Sequence, residues 1–127
     1  KRQPNSREGR IREMAEKQTA GRDQLGDFAP KFAELNDDVL FGQVWSREEL
    51  SAHQRSIITI SSLISGGNFE QLPAHLKIGK QNGITGEEIA EIITHLAFYV
   101  GWPKAWSAFN LAKEIYLEGN SVNKKEA

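Results

Sequence analysis

Residues 85–103, TGEEIAEIITHLAFYVGWP, contain the clearest helix signals in the 127-residue chain. Thr85 and Glu88 have the spacing of a capping box, in which a threonine and a glutamate three residues later cap the first turn of a helix. The Gly101-Trp102-Pro103 sequence then interrupts the helical pattern. We therefore predict an amphipathic helix between Thr85 and Gly101. Its core face carries Ile89, Ile92, Ile93, Leu96 and Val100.

Similar signals mark two helices before this one. Ser51 with Gln54 resembles a capping box and opens a helix that Gly66-Gly67 ends. Its apolar residues do not stay on one narrow stripe, so we expect it to be buried on most sides. Asn68 with Gln71 is predicted to cap the helix that follows, which stops at an Asn-Gly pair.

The remaining helices lie at the two ends of the chain. A last helix is predicted after Pro103 and runs to Gly119, with alanines at helical spacing that permit close helix contact. Near the start, one amphipathic helix is marked by Ile11, Met14 and Ala15. A second segment carries Leu25, Phe28, Phe32 and Leu35 and is predicted to end at a turn formed by Asn36, Asp37 and Asp38.

These patterns predict an all-α fold of about six helices in one domain, because no stretch alternates apolar and polar residues as a strand would. The length of 127 residues suffices for one core but not for two. We expect the helical domain to span residues 10–119. Residues 1–9 and 120–127 are predicted to be flexible ends.

Composition excludes several function classes. A net charge of −1 gives no electrostatic reason to expect nucleic acid or an anionic membrane as a partner. The chain has no cysteine, which excludes disulfides, thiolate metal sites and thiol catalysis. No run of about 18 apolar residues occurs, and no apolar segment follows the polar N-terminal residues, so we expect a cytoplasmic protein.

The polar residues that look out of place in and around apolar helices are Arg47, His53, Arg55, His75, His95 and Tyr99. Arg55 is consistent with a carboxylate-binding side chain, or with a structural ion pair or a side chain that extends to solvent. His75 follows Pro73 early in its helix, where an anion is favoured, but a lone histidine there is also often structural. His95 has Glu91 and Tyr99 one turn away on either side, an arrangement suited to proton transfer or to an ordinary polar edge.

Neither a metal site nor a monomer is favoured by the pattern. No HExxH motif or calcium-binding loop occurs, and three scattered histidines give only a weak metal signal.

Phe98 lies off the apolar stripe of its helix, and the chain also contains Trp45, Trp102 and Trp106. An exposed phenylalanine is ordinary on its own, but together these aromatic residues favour a surface covered by another subunit.

Several separated motifs between Phe41 and Ile115 resemble the carboxymuconolactone decarboxylase family. In order they are VWSR (44–47), QRSIITISSLI (54–64), LPAHL (72–76) and NGITGEEIAEIITHLAFYVGWPKA (82–105). The resemblance implies an all-α fold shared with alkylhydroperoxidase AhpD-like proteins, usually assembled as a hexamer. The peroxidase branch of that superfamily uses a CxxC pair, and this chain has Asn68 and Gln71 at those positions, so thiol peroxidase chemistry is excluded.

The decarboxylase branch converts 4-carboxymuconolactone to an enol-lactone in the protocatechuate route of aromatic catabolism. The resemblance implies a reaction without metal or organic cofactor, because the substrate carries its own electron sink. It implies that His75 donates a proton or stabilises the enolate, with His95 in support. The substrate-binding residues it implies are Arg47, Arg55, Trp45 and Tyr99.

Gln43 departs from the family pattern, because decarboxylases of this family usually carry glutamate in the motif that here includes Gln43 and Trp45. Glutamine forms hydrogen bonds but does not exchange a proton near neutral pH. We take Gln43 as a catalytic position. Two functions follow from this departure: the protein is a carboxy-lyase acting on a small carboxylated lactone, or it is a non-catalytic or divergent ligand-binding paralogue.

Overall fold

The computed structural model describes residues 18–117, and all regular structure within that range is helical. This confirms the all-α prediction. The helix predicted around Ile11 and the two predicted flexible ends lie outside the described residues. The six α-helices are α1 (Ala20–Leu25), α2 (Pro30–Glu34), α3 (Ala52–Gly66), α4 (Leu72–Gln81), α5 (Gly86–Val100) and α6 (Trp102–Tyr116), and a π-helical segment spans Leu35–Val44.

The chain divides into two compact units between Ala52 and His53. In the first unit, the buried Asp37 carboxylate accepts hydrogen bonds from the backbone N–H groups of Gly21 (2.9 Å) and Arg22 (3.0 Å). The Arg22 guanidinium in turn binds both oxygens of Asp38, at 2.9 and 2.7 Å. These contacts hold the first turn of α1 against the π-helical segment.

The turn predicted at residues 36–38 is wrong, because these residues lie inside the π-helical segment. Asp37 does not bind its own local backbone, as a turn aspartate does, but the backbone of α1. The segment closes with a hydrogen bond from the Trp45 N–H to the Leu40 carbonyl five residues earlier, at 3.0 Å. Phe28 and Phe32, which the helical spacing grouped together, are exposed.

The second unit is built on one apolar cluster from α3, α4, α5 and α6. The capping box of α5 is confirmed, since Thr85 Oγ1 accepts from the Glu88 N–H (3.1 Å) and Glu88 accepts from the Thr85 N–H (3.2 Å). The predicted face of α5 is confirmed too, with Ile89 and Ile93 fully buried. The largest side chains of the core are Ile60, Ile64, Leu72, Leu76, Ile84 and Ile93.

Small residues let α6 approach its neighbours. Ala105, Ala108 and Ala112 are all buried, as their spacing predicted. Gly101 joins α5 to α6 with φ of +101°, a conformation that side chains disfavour. The helix ends at Tyr116, three residues before the predicted Gly119.

Two predictions about α3 and α4 are wrong. Ile58 is 54% exposed, so α3 buries one stripe through Ser56, Ile60 and Ile64 and is not buried on most sides. No side chain caps α4, which begins at Leu72 with a proline in its first turn, where a missing N–H costs little. In the part of the chain that the structure describes, no helix is long and apolar enough to cross a membrane.

Candidate active site

The residues predicted for the site are distributed over both units. Gln43, Trp45 and Arg47 belong to the first unit, and the other four belong to the second. Gln43 lies in the last turn of the π-helical segment with its side chain exposed. Arg47 is also exposed, and its Nε lies 3.6 Å from a carboxylate oxygen of Glu49.

Trp45 occupies the position of a core side chain. It is 7% exposed, and its ring stacks on Phe41 with centroids 5.6 Å apart and planes inclined by 20°. Both rings are buried in the first unit. Trp45 therefore supports the segment that carries Gln43, through packing of its indole.

Arg55 lies in the first turn of α3 and is half-buried. Its Nε is shielded from solvent. Its backbone carbonyl accepts a hydrogen bond from Thr59 Oγ1 at 2.8 Å, one turn along the same flank of the helix. A guanidinium held partly out of water interacts more strongly with a carboxylate than an exposed one does.

His75 lies at the end of the first turn of α4 and is half-buried, with its Nδ1 shielded from solvent. Burial lowers the pKa of this imidazole, because the low-dielectric surroundings disfavour the charged form. His75 is therefore neutral over a wider pH range than an exposed histidine. A neutral imidazole offers one N–H donor and one acceptor nitrogen.

The position of α4 against α3 is set by Gly79 and Asn82. A Cβ at Gly79 would lie 3.0 Å from the terminal methyl groups of Ile60 and Ile84, so only glycine fits without displacing them. Asn82 Nδ2 donates to the buried Ser56 Oγ at 3.0 Å. Because His75 lies one turn before Gly79, it belongs to the face of α4 that packs towards α3.

His95 lines an open groove of about 300 Å³ between α3 and α5. Its ring contacts that of Tyr99, with centroids 5.1 Å apart and planes inclined by 35°. The predicted neighbour Tyr99 is thus in contact with His95, and Glu91 lines the same groove as His95. The groove is lined by Ile57, Ser61, Glu91, Ile92, His95 and Leu96.

The groove and Arg55 lie on opposite flanks of α3. Arg55 precedes the buried Ser56 and Ile57 follows it, and each residue of an α-helix is rotated by about 100° from the last. Ile57 lines the groove, so Arg55 lies on the other side of the buried stripe. The structure therefore brings His95 and Tyr99 together but separates them from Arg55.

One polar pair was missed in the sequence analysis. His53 Nε2 lies 2.9 Å from Glu88 Oε2 and joins the first turns of α3 and α5. The hydrogen bond from His53, followed by that from the Thr85 N–H, lowers the pKa of the Glu88 carboxyl. Glu88 was recognised only as a capping residue, and no local signal connects it with a histidine 35 positions earlier.

The described residues contain no group of three histidine, aspartate or glutamate side chains that could hold a metal ion. The model of the carboxymuconolactone decarboxylase family matches residues 30–114, from the start of α2 into α6. The chain belongs to the carboxymuconolactone decarboxylase family. The resemblance found in the sequence is thus confirmed.

Two relatives of the chain carry the names of decarboxylases. The chain is 34% identical to a 4-carboxymuconolactone decarboxylase of Acinetobacter baylyi over 96 residues, which cover 76% of the chain and 72% of the relative. It is 35% identical to a nitrosuccinic acid decarboxylase of Metarhizium robertsii over 75 residues, or 59% of the chain and 52% of that relative. An uncharacterised protein of Paracoccus denitrificans is 31% identical over 83 residues, 64% of the chain and 62% of its own length.

The loop before α4 and the residue that precedes the helix carry the two positions compared with thiols in the sequence analysis. Asn68 lies in this loop and Gln71 directly precedes α4, and both side chains are exposed. Neither residue can replace a thiolate as a nucleophile. In the LPAHL motif, residues 72–76, His75 is the side chain with acid–base chemistry.

Proposed function

We propose that the protein is a cofactor-independent carboxy-lyase that acts on a small carboxylated lactone such as 4-carboxymuconolactone. Family membership and the two relatives named as decarboxylases support loss of carbon dioxide from an organic acid. The observation that carries the proposal is His75, a half-buried imidazole kept neutral by burial in the LPAHL motif. We further assign the reaction to aromatic catabolism in the cytoplasm.

The reaction needs an electron sink in the substrate. When the bond to the carboxylate carbon breaks, its electron pair moves through the ring double bond to the lactone carbonyl and forms an enolate. Protonation at carbon then yields the enol-lactone, and carbon dioxide leaves. A nitro group, as in the substrate that names the fungal relative, is an electron sink of the same kind, so the shared chemistry is a stabilised carbanion.

His75 is suited to the enolate stage. As a neutral imidazole it donates an N–H hydrogen bond to the oxygen on which negative charge develops, without needing a prior protonation step. One well-placed donor of this kind raises the catalytic rate on the order of 10²–10³-fold. The lowered pKa makes this role a better fit than that of a cationic acid at neutral pH.

Arg55 and Arg47 are proposed to bind substrate carboxylates, and Gln43 to hydrogen-bond the substrate. Arg55 has the stronger case, because its guanidinium is partly buried, whereas Arg47 is exposed and lies near Glu49. With Gln43 as an amide, any proton delivered to the product comes from His75 or from water.

His95 and Tyr99 are left out of the reacting centre in this proposal. Their groove lies on the flank of α3 away from Arg55, and its one charged lining residue is Glu91. A carboxylate in the lining repels a carboxylated substrate. Trp45 is likewise assigned a packing role, given its contact with Phe41.

We also propose that the protein is a homo-oligomer, most simply a hexamer. Four large aromatic side chains at the end of α5 and on α6 are more than half exposed, which is unusual for a single subunit. Phe98 and Trp102 already contact each other edge to face, with centroids 6.1 Å apart. We define this aromatic surface as Phe98, Tyr99, Trp102 and Trp106.

Replacement of His75 tests the assignment. His75→Ala should lower turnover about 10²-fold or more with little change in the thermal melt, because the lost group acts on the enolate. His53→Ala is the matched control, since it removes an imidazole of the same unit that has no part in the reaction. A loss of activity in His75→Ala that is matched by a comparable loss of thermal stability would assign His75 a structural role and contradict the proposal.

A further inference from the structure

The α3–α5 groove has a chemistry of its own. Its floor is aliphatic and comes from both helices, through Ile57 of α3 and Ile92 and Leu96 of α5. Its polar groups are the Ser61 hydroxyl and the His95 imidazole, together with the Glu91 carboxylate. A floor of branched side chains with a few polar groups at one edge is typical of sites for small organic molecules.

The charge around this groove is negative. Glu91 is the one carboxylate in the lining, and Glu88 lies one turn earlier on α5, where the first turns of α3 and α5 meet. The lining contains no lysine or arginine. Lys104 meets α3 one turn beyond Ser61, but its ammonium group binds the Ser65 carbonyl at 2.8 Å.

The Glu91 carboxylate differs from Glu88 in its partners. Glu88 is engaged twice, by His53 Nε2 at 2.9 Å and by the Thr85 N–H at 3.2 Å. Among residues 18–117 no lysine or arginine forms an ion pair with Glu91. Glu91 is exposed, and its carboxylate is therefore accessible to a ligand cation in the groove.

We propose that the α3–α5 groove binds a small organic cation, with a protonated amine at Glu91 and an apolar body on Ile57, Ile92 and Leu96. The volume of about 300 Å³ accommodates a ligand the size of a substituted aromatic ring. The Ser61 hydroxyl supplies a hydrogen-bond acceptor for a remaining amine proton.

This site is distinct from the proposed reacting centre in both position and charge. The reacting centre uses Arg55, on the opposite flank of α3, to bind an anion. The groove selects the opposite charge. The proposal therefore does not depend on whether the protein decarboxylates a lactone.

Nuclear magnetic resonance with three matched probes tests the inference. Benzylamine, benzyl alcohol and benzoate share a phenyl ring and differ in charge, and each is titrated into the full chain at low ionic strength without substrate. We expect benzylamine to shift the imidazole resonances of His95 in a saturable way. Benzyl alcohol should bind more weakly, and benzoate should leave His95 unchanged.

Two variants identify the carboxylate responsible. Glu91→Gln should weaken benzylamine binding about five-fold, as expected for one solvent-accessible ion pair, while Glu87→Gln, an exposed residue of the same helix outside the groove, should not. The same spectra show whether each variant is folded. The proposal is overturned if benzoate shifts His95 as strongly as benzylamine, if Glu91→Gln binds benzylamine like the wild type, or if no probe shifts His95.

Discussion

Removal of the Asp37 carboxylate should destabilise the first unit. Asp37 is 3% exposed and accepts hydrogen bonds from two backbone N–H groups of α1 and from Asn36 Nδ2 at 2.9 Å. In Asp37→Ala the buried Gly21 N–H loses its acceptor, which costs about 1–3 kcal/mol. Loss of a capping acceptor at the start of α1 adds about 1 kcal/mol. We therefore expect a total near 3 kcal/mol.

Urea denaturation followed by circular dichroism measures this cost. With a slope of about 2 kcal/mol per molar urea, the midpoint should fall by roughly 1.5 M. Asp38→Ala is the matched control, because Asp38 binds the same arginine but is half exposed. Equal midpoints for the two variants would refute the reasoning.

The pH dependence of the stability difference between wild type and Asp37→Ala provides an independent check. Burial alone would raise the pKa of Asp37, but hydrogen bonds from Asn36, Arg22 and Gly21 outweigh it and lower the pKa. A carboxylate with a lowered folded pKa stabilises the fold above the unfolded pKa of about 3.9 and loses that contribution as the pH falls through the folded value. The difference in free energy of unfolding between wild type and Asp37→Ala should therefore narrow below about pH 4. A difference that stays constant would contradict a lowered pKa for Asp37.

Three further outcomes are expected. Light scattering coupled to size exclusion should give the wild type a mass several times 14.2 kDa, and Phe98→Glu should lower it; a monomeric wild type would contradict the proposed assembly. Gly79→Ala should lose about 1–2 kcal/mol in urea denaturation because its Cβ crowds two core isoleucines, whereas Gly86→Ala, with its nearest contact at 3.7 Å, should not. Glu88→Gln should melt at a lower temperature than wild type at pH 7 and approach it below about pH 4, because the lowered pKa of Glu88 makes its contribution disappear in acid.

The helices that were predicted correctly have their determinants within one or two turns. The α5 capping box involves residues three apart, and the isoleucines that face the core repeat at helical spacing. The three buried alanines of α6 follow the same rule. Such signals are visible in sequence because the interacting groups are neighbours along the chain.

The errors come from contacts between distant residues. Asp37 was read as part of a local turn, but its oxygens bind backbone groups 15 and 16 residues earlier, and the segment continues as a π-helix. The His53–Glu88 pair spans two helices in the same way. Which flank of α3 faces a groove also depends on packing, so the separation of His95 from Arg55 could not be derived from spacing alone.

The central claim is that this member of the carboxymuconolactone decarboxylase family breaks a carbon–carboxylate bond despite Gln43. The most direct test is turnover of 4-carboxymuconolactone by the wild type and by Gln43→Glu. His75→Ala serves as the low-activity reference, and circular dichroism confirms that each protein is folded. The account predicts wild-type turnover about 10²-fold or more above His75→Ala. A folded wild type that does not convert the lactone, while Gln43→Glu does, contradicts the central claim. If neither protein converts this lactone while both are folded, the proposed substrate is wrong.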